Sequence, residues 1–378
     1  MQAPSTSQAQ GTKEDPLYYP ELDGLRFIAF LLVFIHNAPA VLPGLVGAIL
    51  RDYGWIGVDL FLSLSAFLLT RLLINEYERR GSLSPTYFYI RRALRIWPLY
   101  FLVVLVSTII TLRLADWTPL HTLRFVGLMT FTENIMAVWY SYNTFAFIPQ
   151  LWTISYEEQF YAILPWVLLW LLKQSERGKW LFAAGFFATC ISLRALFIYW
   201  DVPYPAIYVL PFTHFVAILG GFLLGLGLLD RLFKTVPTGV LFLAAFAYLG
   251  VVVLLPNKEV IGWHLLVAYP GLSTTLFVYG ILHGRDKWYS KLLAHRLISH
   301  PGKISYGLYV FHFFGLNFAY YLANTLRILP QEGINYPAFI LIVGFIVTFS
   351  CAELSYRFFE KPFLRLKERF THIFSRPV

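Results

Sequence analysis

The stretch LDGLRFIAFLLVFIHN, residues 22–37, decides the fold. It is an apolar run with an Asp-Gly at its entrance, Arg26 near one end and His36 near the other. Apart from these two residues the run is suited to lipid. An ionisable group inside a membrane span is costly and by default marks a functional site. Two questions follow: whether the rest of the chain also belongs in a membrane, and what Arg26 and His36 face there.

Composition answers the first. Of 378 residues, 58% are hydrophobic, 19% aromatic and only 13% charged. Soluble domains carry about 25% charged residues, so a soluble fold with a single core is excluded. The 35 Phe and 24 Tyr suit a bilayer and its interfaces. In a soluble protein the net charge of +9 would point to nucleic acid. Here it is assigned to topology, because Lys and Arg accumulate in cytoplasmic loops, and no nucleic-acid partner is expected. Cys190 and Cys351 lie far apart in apolar runs, with neither disulfide nor metal-ligand spacing. No metal and no bound cofactor are expected. The polar start, MQAPSTSQAQGTKEDP, reads as disordered. It lacks the basic and apolar regions of a cleaved signal peptide, so the first apolar run is expected to remain as a span.

A span needs about 20 largely apolar residues. Ten stretches qualify: roughly 24–42, 54–74, 96–114, 152–172, 180–199, 208–228, 239–255, 262–282, 303–323 and 336–357. The segment 117–150 is apolar but broken, and reads as interfacial or re-entrant rather than as a crossing. With the N-terminus inside and ten alternating spans, 24 of the 30 Lys and Arg fall on the cytoplasmic side. One more crossing at 117–150 would invert that bias. The expected fold is therefore an all-α polytopic membrane protein, a bundle of about ten helices with both termini cytoplasmic. Its organisation reads as a polar tail over 1–17, a membrane domain over 18–368 and a basic tail over 369–378, with no soluble domain attached. The basic, amphipathic end KPFLRLKERFTHIFSRP reads as a helix on the anionic inner leaflet.

Taken from the predicted span ends, His36, Asp59 (in GWIGVDLFLSLSAF) and Glu157 (in LWTISYEEQFY) lie at one depth, about 8 Å below the outer boundary. That predicts a shared polar cavity in which a histidine beside carboxylates acts as a tuned general base. Singly, each has a structural explanation: a helix-to-helix hydrogen bond for His36, a helix start for Asp59, a favourable dipole for Glu157. In RRALRIWPLY, residues 91–100, Arg92 and Arg95 are neighbours on a helix face. They either enforce the positive-inside bias or form a fork-shaped anion site. ISYGLYVFHFF adds Tyr306 and His312 in a later span, where a structural hydrogen bond explains His312 equally well.

In this order LDGLRFIAFLLVFIHN, GWIGVDLFLSLSAFLLT, RRALRIWPLY, LWTISYEEQFYAILP, ISYGLYVFH and ELSYRFFEKPF resemble the acyltransferase-3 family of integral membrane acyltransferases. The resemblance covers roughly residues 18–368. It implies an enzyme of the cell envelope, in a bacterial cytoplasmic (inner) membrane. Such an enzyme transfers an acyl group, commonly acetyl from acetyl-CoA, to a hydroxyl of a glycan, glycolipid or glycoside. By the same resemblance Arg26 and His36 are the essential pair of the first span, Arg92 and Arg95 the acyl-CoA pair, and Asp59 and Glu157 the motif acids. One departure stands out. The family commonly has ten residues between Arg and His; here there are nine, with Asn37 at the expected position. Ten steps are about 2.8 helical turns, an offset of roughly 80°. Either the helix bulges near Arg26, or Arg26 and His36 do not act as a close pair. A proton-coupled transporter or flippase is the rival reading, because buried His, Asp, Glu and Arg in ten spans also describe a carrier.

Overall fold

The computed structural model describes residues 18–254, 270–326, 330 and 333–371. The tail 1–17, the stretch 255–269 at the seventh and eighth predicted spans, and residues 372–378 lie outside the described residues. Within them the chain is helical throughout, without a strand. In order the helices are α1 (Pro20–His36), α2 (Gly44–Tyr53), α3 (Ile56–Arg80), α4 (Pro85–Leu114), α5 (Pro119–Met129) and α6 (Glu133–Tyr140). A 3-10 turn at Pro149–Leu151 leads into α7 (Trp152–Leu172), α8 (Glu176–Tyr199), α9 (Ala206–Val209), α10 (Pro211–Gly225), α11 (Asp230–Phe233) and α12 (Thr238–Leu254). The last group is α13 (Pro270–His283), α14 (Trp288–Ala294), α15 (Arg296–Lys303), α16 (Ser305–Leu326), α17 (Asn335–Leu354), a π-helical turn at Ser355–Glu360 and α18 (Lys361–Glu368).

Among the described residues five helical stretches, against the ten spans expected, are long and apolar enough to cross a membrane: Ile56–Arg80, Pro85–Leu114, Glu176–Tyr199, Ala206–Gly225 and Asn335–Glu368. Their outward faces carry large apolar side chains, such as Leu105, Ile109 and Leu112 on α4 and Ile342 and Ile346 on α17. Water does not tolerate such a surface and lipid does. The molecule is an integral membrane protein. The segment 117–150 forms α5 and α6, of 11 and 8 residues, each far short of the roughly 20 a crossing needs. Arg124 of α5 is buried against Glu133 of α6 and also donates to the Tyr140 and Ser141 carbonyls, which fixes the end of that segment.

Helix ends move the expected depths. Pro20 at the first helical position and Glu21 and Asp23 in the first turn start α1 early. Asn37 caps its end and Pro39 follows, so His36 is the last residue of the helix and not six residues inside it. Asp59 falls in the first turn of α3, and Glu157 is the sixth residue of α7. The three residues do not share one offset from a helix end.

α3 is the centre of the bundle and packs on α1, α7, α10 and α13. Small residues allow the close approaches that helices make in lipid. A Cβ on Gly221 of α10 would stand 2.1 Å from the Ser63 carbonyl of α3. Ser63 Oγ in turn donates to the Ala217 carbonyl of α10 at 2.9 Å. α16 and α17 form the most extensive helix pair, with Gly315 against Thr348 at its seam.

Candidate active site

Two cavities meet end to end inside the bundle. The first, about 190 Å³, is lined by Arg26 of α1, Arg92 and Arg95 of α4, and Lys367 of α18. Asp23 and Glu157 are the carboxylates on its wall, so cations outnumber anions. Tyr161 donates to Glu157 Oε2 at 2.8 Å, and Tyr306 donates to the Ile96 carbonyl at 2.8 Å, fixing two further walls. Arg26 lies 3.9 Å from Asp23, one turn back on its own helix. A site of this charge suits an anion with several oxygens, which guanidinium groups grip through paired N–H donors.

The RRALR run divides by function. Arg91 is buried, paired with Glu76 at 2.8 Å, and donates to the Phe370 carbonyl at 2.9 Å. It fastens the chain beyond α18 to α4 and takes no part in the cavity. Arg92 and Arg95, one and four residues on, turn into the cavity.

The second cavity, about 720 Å³, holds His36 and Asn37 at the end of α1. Asp52, Trp55, Tyr142, Gln150, Trp152, Arg194, Asp201, Tyr204 and Tyr208 face it as well. His36 Nδ1 sits 2.5 Å from the Arg51 carbonyl. A carbonyl only accepts, so Nδ1 carries the proton and Nε2 keeps its lone pair. Among the described residues Nε2 has no protein partner. That is the arrangement of a general base: one nitrogen oriented by the fold, the other open to substrate. Aromatic faces interleaved with amide, carboxylate and guanidinium groups suit a polyhydroxylated ligand whose rings carry apolar faces and polar edges.

The sequence-predicted residues are thus distributed between two cavities. The shared cavity of His36, Asp59 and Glu157 is not what the structure shows. Glu157 lies with the arginines, turned there by the azimuth of α7. Asp59 lines neither cavity. Its Oδ1 pairs with His214 Nδ1 at 2.9 Å in a buried contact that ties α3 to α10. Arg26 and His36 also separate. α1 is an unbroken helix, the two are ten residues or about 15 Å apart along it, and each faces its own cavity. Of the two explanations for the shortened spacing, the absence of a close pair is the one realised. His312 is fully buried, its Nδ1 2.6 Å from the Tyr309 carbonyl one turn back, and it lines neither cavity.

Several site residues escaped the sequence reading. His214 sits in the largely apolar span 208–228, and the rule that singles out His36 applies to it equally. The rings of Trp152, Tyr156 and Tyr208 pack around it, and Trp152 and Tyr208 also face the His36 cavity. Asp59 and His214 therefore support the aromatic wall from behind. Removing one partner of such a buried pair costs about 3–5 kcal/mol. Asp59→Ala and His214→Ala are expected to lower the thermal midpoint in detergent by several degrees. A midpoint equal to that of the unmodified protein would show that the pair is not structural. Lys367 was read as part of a surface helix; nothing in its local sequence signals that α18 folds back over a cavity.

Among the described residues the chain is all-helical and places a cation-rich cavity and a histidine cavity along one helix. The family model described as "Acyltransferase domain", that of the acyltransferase-3 family, matches residues 19–355, and the chain belongs to that family. Curated relatives include a Staphylococcus aureus (strain COL) protein named "Putative O-acetyltransferase", 28% identical over 369 residues, covering 92% of this chain and 57% of the relative. O-acetyltransferase OatA of Staphylococcus aureus (strain NCTC 8325 / PS 47) is 27% identical over 370 residues, with the same coverage of 92% and 57%. The chain spans a little over half the length of these relatives. No solved structure matches it.

Proposed function

We propose that the chain is a membrane-bound O-acyltransferase. It moves an acyl group, acetyl foremost, from acyl-CoA to a hydroxyl of a sugar-containing acceptor such as a cell-surface glycan or glycolipid. The observation that carries this reading is the pair of opposed cavities on α1, one lined by Arg26, Arg92, Arg95 and Lys367 and the other holding a histidine with a free Nε2. In this reading ten helices cross a bacterial inner membrane with both termini cytoplasmic. The arginines then face the cytoplasmic supply of acyl-CoA, and His36 faces the outer side.

Arg92, Arg95, Arg26 and Lys367 hold the phosphates of the donor. Glu157, fixed by Tyr161, balances and orients the guanidinium groups. The thioester lies at the far end of a long thin arm, which suits the roughly 15 Å between the Arg26 and His36 levels. The acceptor hydroxyl gives its proton to His36 Nε2, and its oxygen attacks the thioester carbonyl carbon. The new C–O bond forms, the C–S bond breaks, and the departing thiolate takes the proton back from the imidazolium. CoA and an O-acyl ester are the products. Asp52, with Asp201 one of two carboxylates on the His36 cavity, stabilises the imidazolium in this reading; Asp59 is committed to His214.

A second reading, a proton-coupled transporter or flippase, is favoured by the same back-to-back cavities, a layout that alternating access also uses. Proteoliposomes given acetyl-CoA on the cytoplasmic side and methyl glucoside inside separate the two. Stoichiometric free CoA and acetyl ester are the expected result. Passage of the glycoside unmodified, with acetyl-CoA neither bound nor consumed, would establish the transporter instead.

A further inference from the structure

The two cavities are separated by very little. Among the described residues Val58 and Tyr309 are the side chains that line both. If the reading above holds, every acyl group that travels from the arginines to His36 passes between them.

The two sides of this passage differ in how they are held. Val58 stands on a backbone that cannot retreat. A Cβ on Gly57 would lie 2.3 Å from the Ala29 carbonyl of α1, and one on Gly54 would lie 2.4 Å from the Leu32 carbonyl. The start of α3 is thus pressed onto the part of α1 between Arg26 and His36, and Val58 follows directly. β-Branching leaves its side chain few rotamers. Tyr309 is held differently. Its hydroxyl shares a 2.8 Å hydrogen bond with Thr153 Oγ1 and a longer one, 3.4 Å, to the Gln150 carbonyl. Its ring meets Phe61 edge-on, at 6.0 Å between centroids. Two hydroxyl contacts on one rotatable side chain can open and reclose. The backbone beside it stays in place, because Gln150 Nε2 donates to the neighbouring Val310 carbonyl at 2.8 Å.

We propose that Val58 determines which acyl groups the protein transfers, as the fixed wall of a slot whose other wall, Tyr309, swings aside. This rests on the acyltransferase reading. An acetyl group presents one methyl to the slot. Propionyl and butyryl present one and two methylenes more. A single methylene in a tight apolar site changes selectivity about 10- to 200-fold.

The test compares acetyl-, propionyl- and butyryl-CoA with the full chain in detergent, using methyl glucoside as acceptor and free CoA plus ester as readouts. Val58→Ala, which removes two methyl groups from the wall, is expected to raise the butyryl-to-acetyl ratio of kcat/KM at least about tenfold. Val58→Ile adds one methylene and is expected to move the propionyl-to-acetyl ratio the other way, so the test survives the loss of either variant. Acetyl transfer with ratios unchanged in both variants would overturn the role of Val58 and leave the acyltransferase reading standing. Absence of CoA release from all three donors by the unmodified protein would overturn both together.

Discussion

Replacing His36 by alanine is expected to reduce acyl transfer by about 10²- to 10⁴-fold while acetyl-CoA binding stays unchanged. The separation follows from the layout. His36 ends α1 in the larger cavity, and Arg26, Arg92 and Arg95 face the smaller one. In the proposed mechanism, losing the imidazole removes the group that takes the hydroxyl proton. It leaves the donor site intact and removes only one hydrogen bond to the Arg51 carbonyl from a partly exposed helix end. The thermal midpoint should therefore match the unmodified protein. Binding measured by calorimetry, turnover by free CoA and ester, and a melt together form the check. Undiminished turnover would take His36 out of the chemistry, and lost binding would show that the two cavities are not functionally distinct.

The three arginines of the RRALR run should give three distinguishable results. Arg92→Ala and Arg95→Ala are each expected to weaken acetyl-CoA binding about 10- to 100-fold, because a charge-assisted hydrogen bond contributes about 1.5–3 kcal/mol. Neither should lower the melting point by more than a degree or so: the cationic side chains crowd one cavity with Arg26, Glu157 keeps other arginines beside it, and the one further hydrogen bond lost among the described residues is the long, 3.4 Å bond from Arg95 to the Lys303 carbonyl. Arg91→Ala should do the reverse. It leaves Glu76 buried without its partner and frees the Phe370 carbonyl, at a cost of about 3–5 kcal/mol in stability. Titration of acetyl-CoA into each variant, beside its melt, decides the matter. A donor affinity that is equal in the Arg92 and Arg95 variants and the unmodified protein would move the phosphates elsewhere.

Much of this was legible in the sequence, and the losses share one cause. Apolar run length located some helices: the stretch 152–172 coincides with α7, and the break at 117–150 is two short helices. Arg92 and Arg95, neighbours on a helix face in the sequence, line one cavity together with Arg26. Depth along a helix can be counted from residues, but azimuth cannot, and azimuth decides which neighbour a side chain meets. Counting put His36, Asp59 and Glu157 together; the faces of α1, α3 and α7 send them to three different surroundings. The partner of Asp59 lies 155 residues away in sequence, and no local pattern announces such a contact. The helix end at His36 was legible in principle, because Pro39 and Pro43 follow it.

The walls of the smaller cavity run from Tyr18 to Lys367, nearly the whole described chain. Helices leave the ribosome N-terminal end first. α1 with its histidine, α3 and α4 are therefore in the bilayer long before α18 arrives. Until that helix docks, the cation-rich chamber lacks a wall and one of its positive charges. Synthesis thus imposes an order on assembly: a chain made as far as α4 already carries His36 and the cavity arginines, but the enclosure of the smaller chamber waits for α18.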